Sequence, residues 1–141
     1  MPKSKKQTKH SKRQNDIEEQ KVQIRSQLKQ LGEKIYSDLN SQRFPTIHFP
    51  SRSVRNIVYD KKTKQYILGS NTVTRTASNI KQIRSVTQLT WLAFFANELM
   101  SNKKSSTLRD VYYSSQAYAV DYTDQPESDA IITDLESVIS T

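Results

Sequence analysis

Residues 86–113, VTQLTWLAFFANELM-SNKKSS-TLRDVYY, decide how this chain folds. Val86 to Met100 is apolar nearly all round: Val86, Leu89, Trp91, Leu92, Ala93, Phe94, Phe95, Ala96, Leu99 and Met100. A helix that is hydrophobic on every side belongs at the centre of a core. Asn102 to Ser106 is polar and reads as a loop. The next helix begins near Thr107, with Asp110 three residues on as a capping-box partner. Near its start stand Tyr112 and Tyr113, one turn after Arg109. Neighbours on a helix point about 100° apart, so only one of the two rings can face a core.

A helical wheel with Leu108 at the origin resolves the choice. Leu108, Val111, Tyr112, Ser115, Tyr118 and Ala119 gather within about 120° of one another and form the expected core face. Arg109, Tyr113 and Gln116 share the polar side. Periodicity therefore assigns Tyr112 to packing and Tyr113 to exposure. Arg109 and Tyr113 stand at i and i+4, within reach of one another or of a shared phosphate.

Downstream, Asp124 and Glu127 again have capping-box spacing. Ile131, Leu135, Val138 and Ile139 supply the apolar stripe of a last helix. Upstream, Asn15 or Asp16 can cap a long helix to about Gln42, with Ile17, Ile24, Leu28, Leu31, Ile35 and Leu39 along one face. Such a helix is packed on its own domain or offered to a partner. Residues 44–50 contain two prolines and read as an irregular connection with a short extended piece. Asn56–Asp60 and Gln65–Leu68 are β-prone runs about a polar turn, a hairpin pattern. Gly69 is placed to end its second strand, and Thr72–Thr76 to add another. Helix, hairpin, helix, short helix, helix in a basic chain suggests a helix-turn-helix of the winged type.

Charge narrows the partners. The formal net charge is +8 over 141 residues. Residues 1–13 carry six Lys and Arg and no acid, whereas residues 124–141 carry five acids and no Lys or Arg. This balance attracts polyanions, of which nucleic acid is the usual one, or simply keeps a protein soluble. Residues 1–14 are expected to be a disordered basic tail, either a phosphate-contacting arm or a solvated end. Cysteine is absent, which excludes disulfides, thiolate zinc sites and a cysteine nucleophile. Only Gly32 and Gly69 are glycines, so no glycine-rich phosphate loop exists and ATP is not bound by that route. No apolar window is long enough to span a membrane, and no secretory signal opens the chain.

An exposed tyrosine beside a cation suits one chemistry in particular. A phenol, ordinarily protonated at neutral pH with a pKa near 10, is a weak nucleophile until its proton is removed or shared. An arginine stays charged and offers a fork of donors to a phosphorane-like transition state. Tyr113 and Arg109 could serve a transesterification, or Tyr113 could be a surface aromatic and no more. Arg52 and Arg55, flanked by Ser51 and Ser53, are candidate phosphate contacts or an exposed polar loop. Gln116 lies on the polar side with the tyrosine.

The string Ser106 to Tyr113, followed by Asp124–Asp129 and Ile132–Glu136, resembles the type IIB DNA topoisomerases. This family comprises the A subunits of archaeal DNA topoisomerase VI and the eukaryotic transesterase that makes meiotic double-strand breaks. Phe49–Ser53, Asn56–Asp60 and Ile67–Gly69 are similar as well, so the resemblance covers roughly residues 28–141. It implies that Tyr113 is the nucleophile, linked to a DNA 5′ end, and that Arg109 assists it. It implies a CAP-like winged-helix domain over residues 44–141, incomplete at its C-terminal end. Residues 15–43 become a helix that docks in part on a B-type subunit. The implied assembly is a homodimer of A subunits in an A2B2 complex on double-stranded DNA, archaeal, cytoplasmic and nucleoid-associated. ATP is bound by the partner subunit, and Mg²⁺ by the acidic residues of a Toprim domain. No Glu plus Asp-x-Asp cluster occurs in these 141 residues. Asp129 and Asp134 lie on a helix after the tyrosines and are not assigned to metal. The chain therefore reads as the tyrosine-bearing part of an A subunit, inactive by itself. The other expectation is a non-catalytic winged-helix DNA-binding module or a scaffold. The fold class expected is mainly α with a small β-hairpin.

Overall fold

The computed structural model describes residues 4–139. Helix α1 spans Ser4–Asn40 and strand β1 spans Thr46–Pro50. A single 3-10 turn, Val54–Asn56, leads into β2 (Ile57–Asp60), β3 (Gln65–Leu68) and β4 (Thr72–Thr76). Helices α2 (Ile83–Ser101), α3 (Leu108–Ala117) and α4 (Gln125–Ile139) complete the order. The chain is mainly helical with two small antiparallel sheets, β1–β4 and β2–β3.

Helix α1 starts earlier than the sequence suggests. Residues 4–14, expected to be disordered, are helical, and no cap operates at Asn15 or Asp16. Pro2 is the last helix breaker before Gly32, and Lys, Gln and Arg are good helix formers. Local propensity therefore carries the turns back to Ser4. Met1 to Lys3 of the expected tail lie outside the described residues. The apolar stripe is buried only in its middle, at Leu28, Leu31 and Ile35, while Ile17 and Leu39 are half exposed or more. The helix ends where Gln42 turns left-handed (φ 58°) and Arg43 N–H bonds back to Asp38 O at 2.7 Å.

Of the two prolines of residues 44–50, Pro45 precedes a strand and Pro50 is its last residue, so neither breaks it. Ile47 and Phe49 alternate inward with His48 between them, 2% and 5% exposed. β1 pairs with β4 in the register Ile47↔Arg75 and Phe49↔Val73. The expected hairpin forms as β2–β3, with Tyr59 opposite Tyr66. Buried Asn56 ties the base of that hairpin to the residues just after β1 and just before β4. Its side-chain amide donates to Ser51 O (2.6 Å) and Asn71 O (3.1 Å) and accepts from Asn71 N–H (3.0 Å). Gly69 must be glycine here, since a Cβ would sit 2.7 Å from Asn56 Oδ1.

Helix α2 is the hub, as its all-round apolarity requires. It packs on α1, α4 and β4, while α4 also covers β1 and α3. Leu89 (1% exposed), Val86, Trp91 and Leu92 meet Ile47 and Phe49, Val111, Ile131 and Leu135 in one core. The Arg75–Asp134 ion pair (3.1 Å) binds the β1–β4 sheet to α4, and within the sheet the Arg75 guanidinium lies over the Phe49 ring (5.7 Å). Asp134 keeps a carboxyl raised above its usual range by burial, with Arg75 and then Arg52 pulling the other way.

Candidate functional site

Helix α3 opens with the reciprocal cap that Thr107 and Asp110 predict. Thr107 Oγ1 accepts from Asp110 N–H (3.1 Å), and Asp110 Oδ2 accepts from Thr107 N–H (3.4 Å). Its first turn is fastened to α4, because Gln125 Nε2 donates to Leu108 O (3.0 Å) and to Asp129 Oδ1 (2.9 Å). Asp129 is thereby occupied as an acceptor, as Asp134 is by Arg75.

The core face of α3 is narrower than the wheel draws it. Val111 and Ser115 are buried and Tyr112 is half-buried against the core, whereas Leu108 and Tyr118 are more than half exposed. Both lie at helix ends. Tyr118 still touches the interior, with its ring 5.7 Å from Trp91 and 6.1 Å from Phe94.

Tyr113 is 57% exposed. Its ring leans on Tyr112 at 5.3 Å and 59°. Arg109, one turn earlier, is exposed and forms no ion pair among the described residues. The helix thus presents a phenol and an uncommitted guanidinium on one side, with exposed Gln116 nearby on the same helix. The two arginines of the 52–55 segment differ. Arg55 is exposed in the 3-10 turn. Arg52 is engaged by α4, where its Nε donates to Ser137 Oγ and its guanidinium lies 4.0 Å from the Glu136 carboxylate. Of the candidate cations, Arg55 and Arg109 thus form no ion pair among the described residues, whereas Arg52 does.

The end of α3 carries a strained residue. Ala119 adopts φ 56°, while Val120 N–H bonds to Ser115 O (3.1 Å) and Ala119 N–H to Gln116 O (3.2 Å). This is the Schellman closure that glycine usually serves. A Cβ in the left-handed region costs about 1 kcal/mol. Ala119→Gly is expected to raise stability by about that amount, read as a higher urea midpoint at unchanged slope.

A polar network that sequence patterning missed holds the segment after α3. Arg84 of α2 donates to Asp121 O (2.9 Å) and Thr123 Oγ1 (3.1 Å) and pairs with Glu127 (3.2 Å). Buried Gln88 donates to Asp121 O (3.0 Å) and Glu127 Oε1 (3.3 Å). Glu127 also accepts from Thr123 N–H, so it caps from one residue further out than the expected Asp124 partnership. Asp124 itself accepts from Glu127 N–H at 3.0 Å. Burial alone would raise the Glu127 carboxyl, but the Thr123 and Gln88 bonds and Arg84 together lower it. The only forewarning in the sequence is polar Gln88 inside an apolar helix.

Beside this network Tyr122 is 4% exposed, and its hydroxyl has no hydrogen-bond partner among the described residues. Burial, and then the Glu127 carboxylate, push its phenol up from 10.0 to about 12. The folded state therefore keeps this proton where the unfolded chain has lost it. Stability is expected to fall by about 1.4 kcal/mol per pH unit between about pH 10 and 12. Tyr122→Phe should flatten that slope and leave stability at neutral pH equal or higher, since it removes an unpaired buried hydroxyl. Denaturant midpoints at several alkaline pH values check both.

Among the described residues no group of three or more His, Cys, Asp or Glu side chains is arranged to hold a metal ion. Those residues thus offer no acidic cluster for Mg²⁺. Among the same residues no helix is long and apolar enough to cross a membrane.

Residues 84–141 match the type IIB DNA topoisomerase family. The chain is 40% identical over 111 residues to the A-type subunit of type 2 DNA topoisomerase 6 from Methanothermobacter thermautotrophicus, covering 79% of this chain and 31% of that protein. It is 30% identical over 105 residues to the corresponding protein of Archaeoglobus fulgidus, covering 74% and 29%. For that of Methanosarcina barkeri the figures are 33% over 114 residues, 79% and 31%. The chain spans about a third of the length of the curated relatives it matches. No solved structure matches it.

Proposed function

Because this chain resembles the N-terminal part of the A subunit of archaeal type IIB DNA topoisomerases, we propose that it is the DNA-binding and tyrosine-bearing part of such an enzyme. One observation carries the proposal. Within the matched stretch, Tyr113 faces solvent one turn after Arg109, which forms no ion pair among the described residues, while its neighbour Tyr112 turns toward the core.

In the proposed reaction Tyr113 Oη attacks a DNA phosphorus. The bond from phosphorus to the 3′ oxygen breaks, and that oxygen leaves as a 3′ hydroxyl, taking up a proton in exchange for the one lost by the phenol. A 5′-phosphotyrosyl diester replaces the backbone diester, so one phosphodiester is exchanged for another and the strand can be resealed. Arg109 neutralises charge on the phosphoryl oxygens as the bond order shifts. Arg55 and Gln116 are the proposed DNA contacts; Arg52 joins them only by releasing Glu136.

The remaining features of the reading are the family's. The domain of residues 44–141 is proposed to be of winged-helix type, and α1 to offer part of its length to an ATP-binding B-type subunit. Two A subunits cut the two strands of a duplex in the archaeal cytoplasm, at the nucleoid. Mg²⁺ belongs to acidic residues outside these 141, and residues 1–141 alone are proposed not to cleave. The net charge of +8 would equally serve a second reading, a DNA-binding module or scaffold without chemistry.

The two readings separate in a reconstitution. The chain is mixed with supercoiled DNA, a B-type subunit, ATP, Mg²⁺ and the acidic metal-binding domain of a relative. Protein linked to DNA 5′ ends supports the first reading. Salt-sensitive binding with no linkage under any condition supports the second.

A further inference from the structure

The β2–β3 hairpin is the least explained part of the molecule. All eight strand residues escape burial, including Ile57, Val58, Tyr59, Tyr66, Ile67 and Leu68 at 41–76% exposure. A lone two-stranded ribbon is marginal in water, yet this one is anchored at its base by Asn56 and by the close approach of Gly69. Its turn, residues 61–64, contains Lys61, Lys62 and Lys64, none of them in an ion pair among the described residues.

The one acid at the tip is turned inward. Asp60 accepts from Lys62 N–H (3.0 Å) and Thr63 Oγ1 (2.8 Å), so it closes the turn rather than offsetting an ammonium group. Lys64 sits at φ 55°, a position where glycine is easier and a lysine side chain costs about 1 kcal/mol. Just behind the tip Tyr59 and Tyr66 form an edge-on pair with ring centroids 5.3 Å apart. The ribbon therefore ends in three free cations backed by two amphipathic rings.

We propose that this hairpin is a second DNA-contacting element, a β-ribbon that enters a groove of the duplex tip first. A two-stranded ribbon fits the major groove, about 12 Å wide. The lysines reach phosphates on either side, and the tyrosine rings lie against sugars and base edges. Charge argues for a polyanion over a second copy of this chain, because facing tips would oppose ammonium groups. The proposal rests on DNA as the partner but not on Tyr113 chemistry.

The test is fluorescence anisotropy of the full chain with a labelled duplex across a salt series. A triple variant, Lys61→Gln, Lys62→Gln and Lys64→Gln, is compared with a charge-matched control, Lys9→Gln, Lys12→Gln and Arg13→Gln. The hairpin triple is expected to lose about tenfold or more in affinity near 150 mM salt and to lower the log–log slope by about 2–3. The control should lose less. A dye on Lys62→Cys, in a chain with no other cysteine, should respond to duplex at the same concentrations. Equal losses in the two triples, with a silent dye, would overturn the hairpin and leave the DNA-binding reading standing. No binding by the unaltered chain would sink both. Concentration-dependent self-association abolished by Tyr66→Ala, with DNA affinity unchanged, would assign the ribbon to pairing between copies and overturn the proposal.

Discussion

Tyr113→Phe is expected to abolish covalent linkage to DNA in the reconstituted assembly, while Tyr112→Phe keeps most of it. The two substitutions remove the same atom from adjacent residues, so chemistry and helix propensity are matched. Only placement differs. Tyr113 is 57% exposed, and Tyr112 packs against the core. Loss of a covalent nucleophile removes the reaction path itself, a fall of about 10³-fold or more. Phe at either position retains the ring contact at 5.3 Å, so both variants should fold. Gel assays for protein on 5′ ends read the outcome, and the reverse pattern would overturn the assignment.

Arg109→Ala is expected to lower the rate of linkage by about 10²–10³-fold, on the order of 3–4 kcal/mol of transition-state stabilisation. Arg109 is exposed and forms no ion pair among the described residues, so the helix should lose little stability. Lysine is charged but lacks the guanidinium fork, and Arg109→Lys should restore only part of the rate. Equilibrium DNA binding should weaken modestly, with a salt slope smaller by about one. A loss of affinity that accounts for the whole loss of rate would make Arg109 a phosphate contact rather than a residue that acts in the transition state.

Features written within one or two turns of chain were legible from the sequence. The Thr107–Asp110 cap, the central helix around Leu89 and the packing of Tyr112 beside an exposed Tyr113 all follow from helical period and local hydrogen-bond chemistry. Features set by distant partners were not. β1 was expected only as a short extended piece, because its pairing depends on β4, roughly thirty residues away at Thr46↔Thr76. Arg52 read as a free cation because Glu136 and Ser137 are far along the chain. Leu108 and Tyr118 obey the wheel but lie at the ends of α3, where less of the core lies over them. The start of α1 went the other way. Asn15 and Asp16 are good caps, but the residues before them are good helix formers too, so a cap was offered where no helix needed to begin. The hairpin lysines read as an ordinary polar turn until the surrounding strands proved exposed on both faces.

The claim that Tyr113 is the attacking residue has a direct test. The covalent complex formed in the reconstitution is trapped, its DNA is trimmed with nuclease, and the protein is digested with trypsin. No Lys or Arg follows Arg109 in the chain, so the peptide that begins at Asp110 holds Tyr112, Tyr113, Tyr118 and Tyr122 together. Fragmentation between Tyr112 and Tyr113 locates the added nucleotide. The nucleotide is expected on Tyr113, joined through a 5′ phosphate. A nucleotide on any other tyrosine, or one joined through a 3′ phosphate, would contradict it.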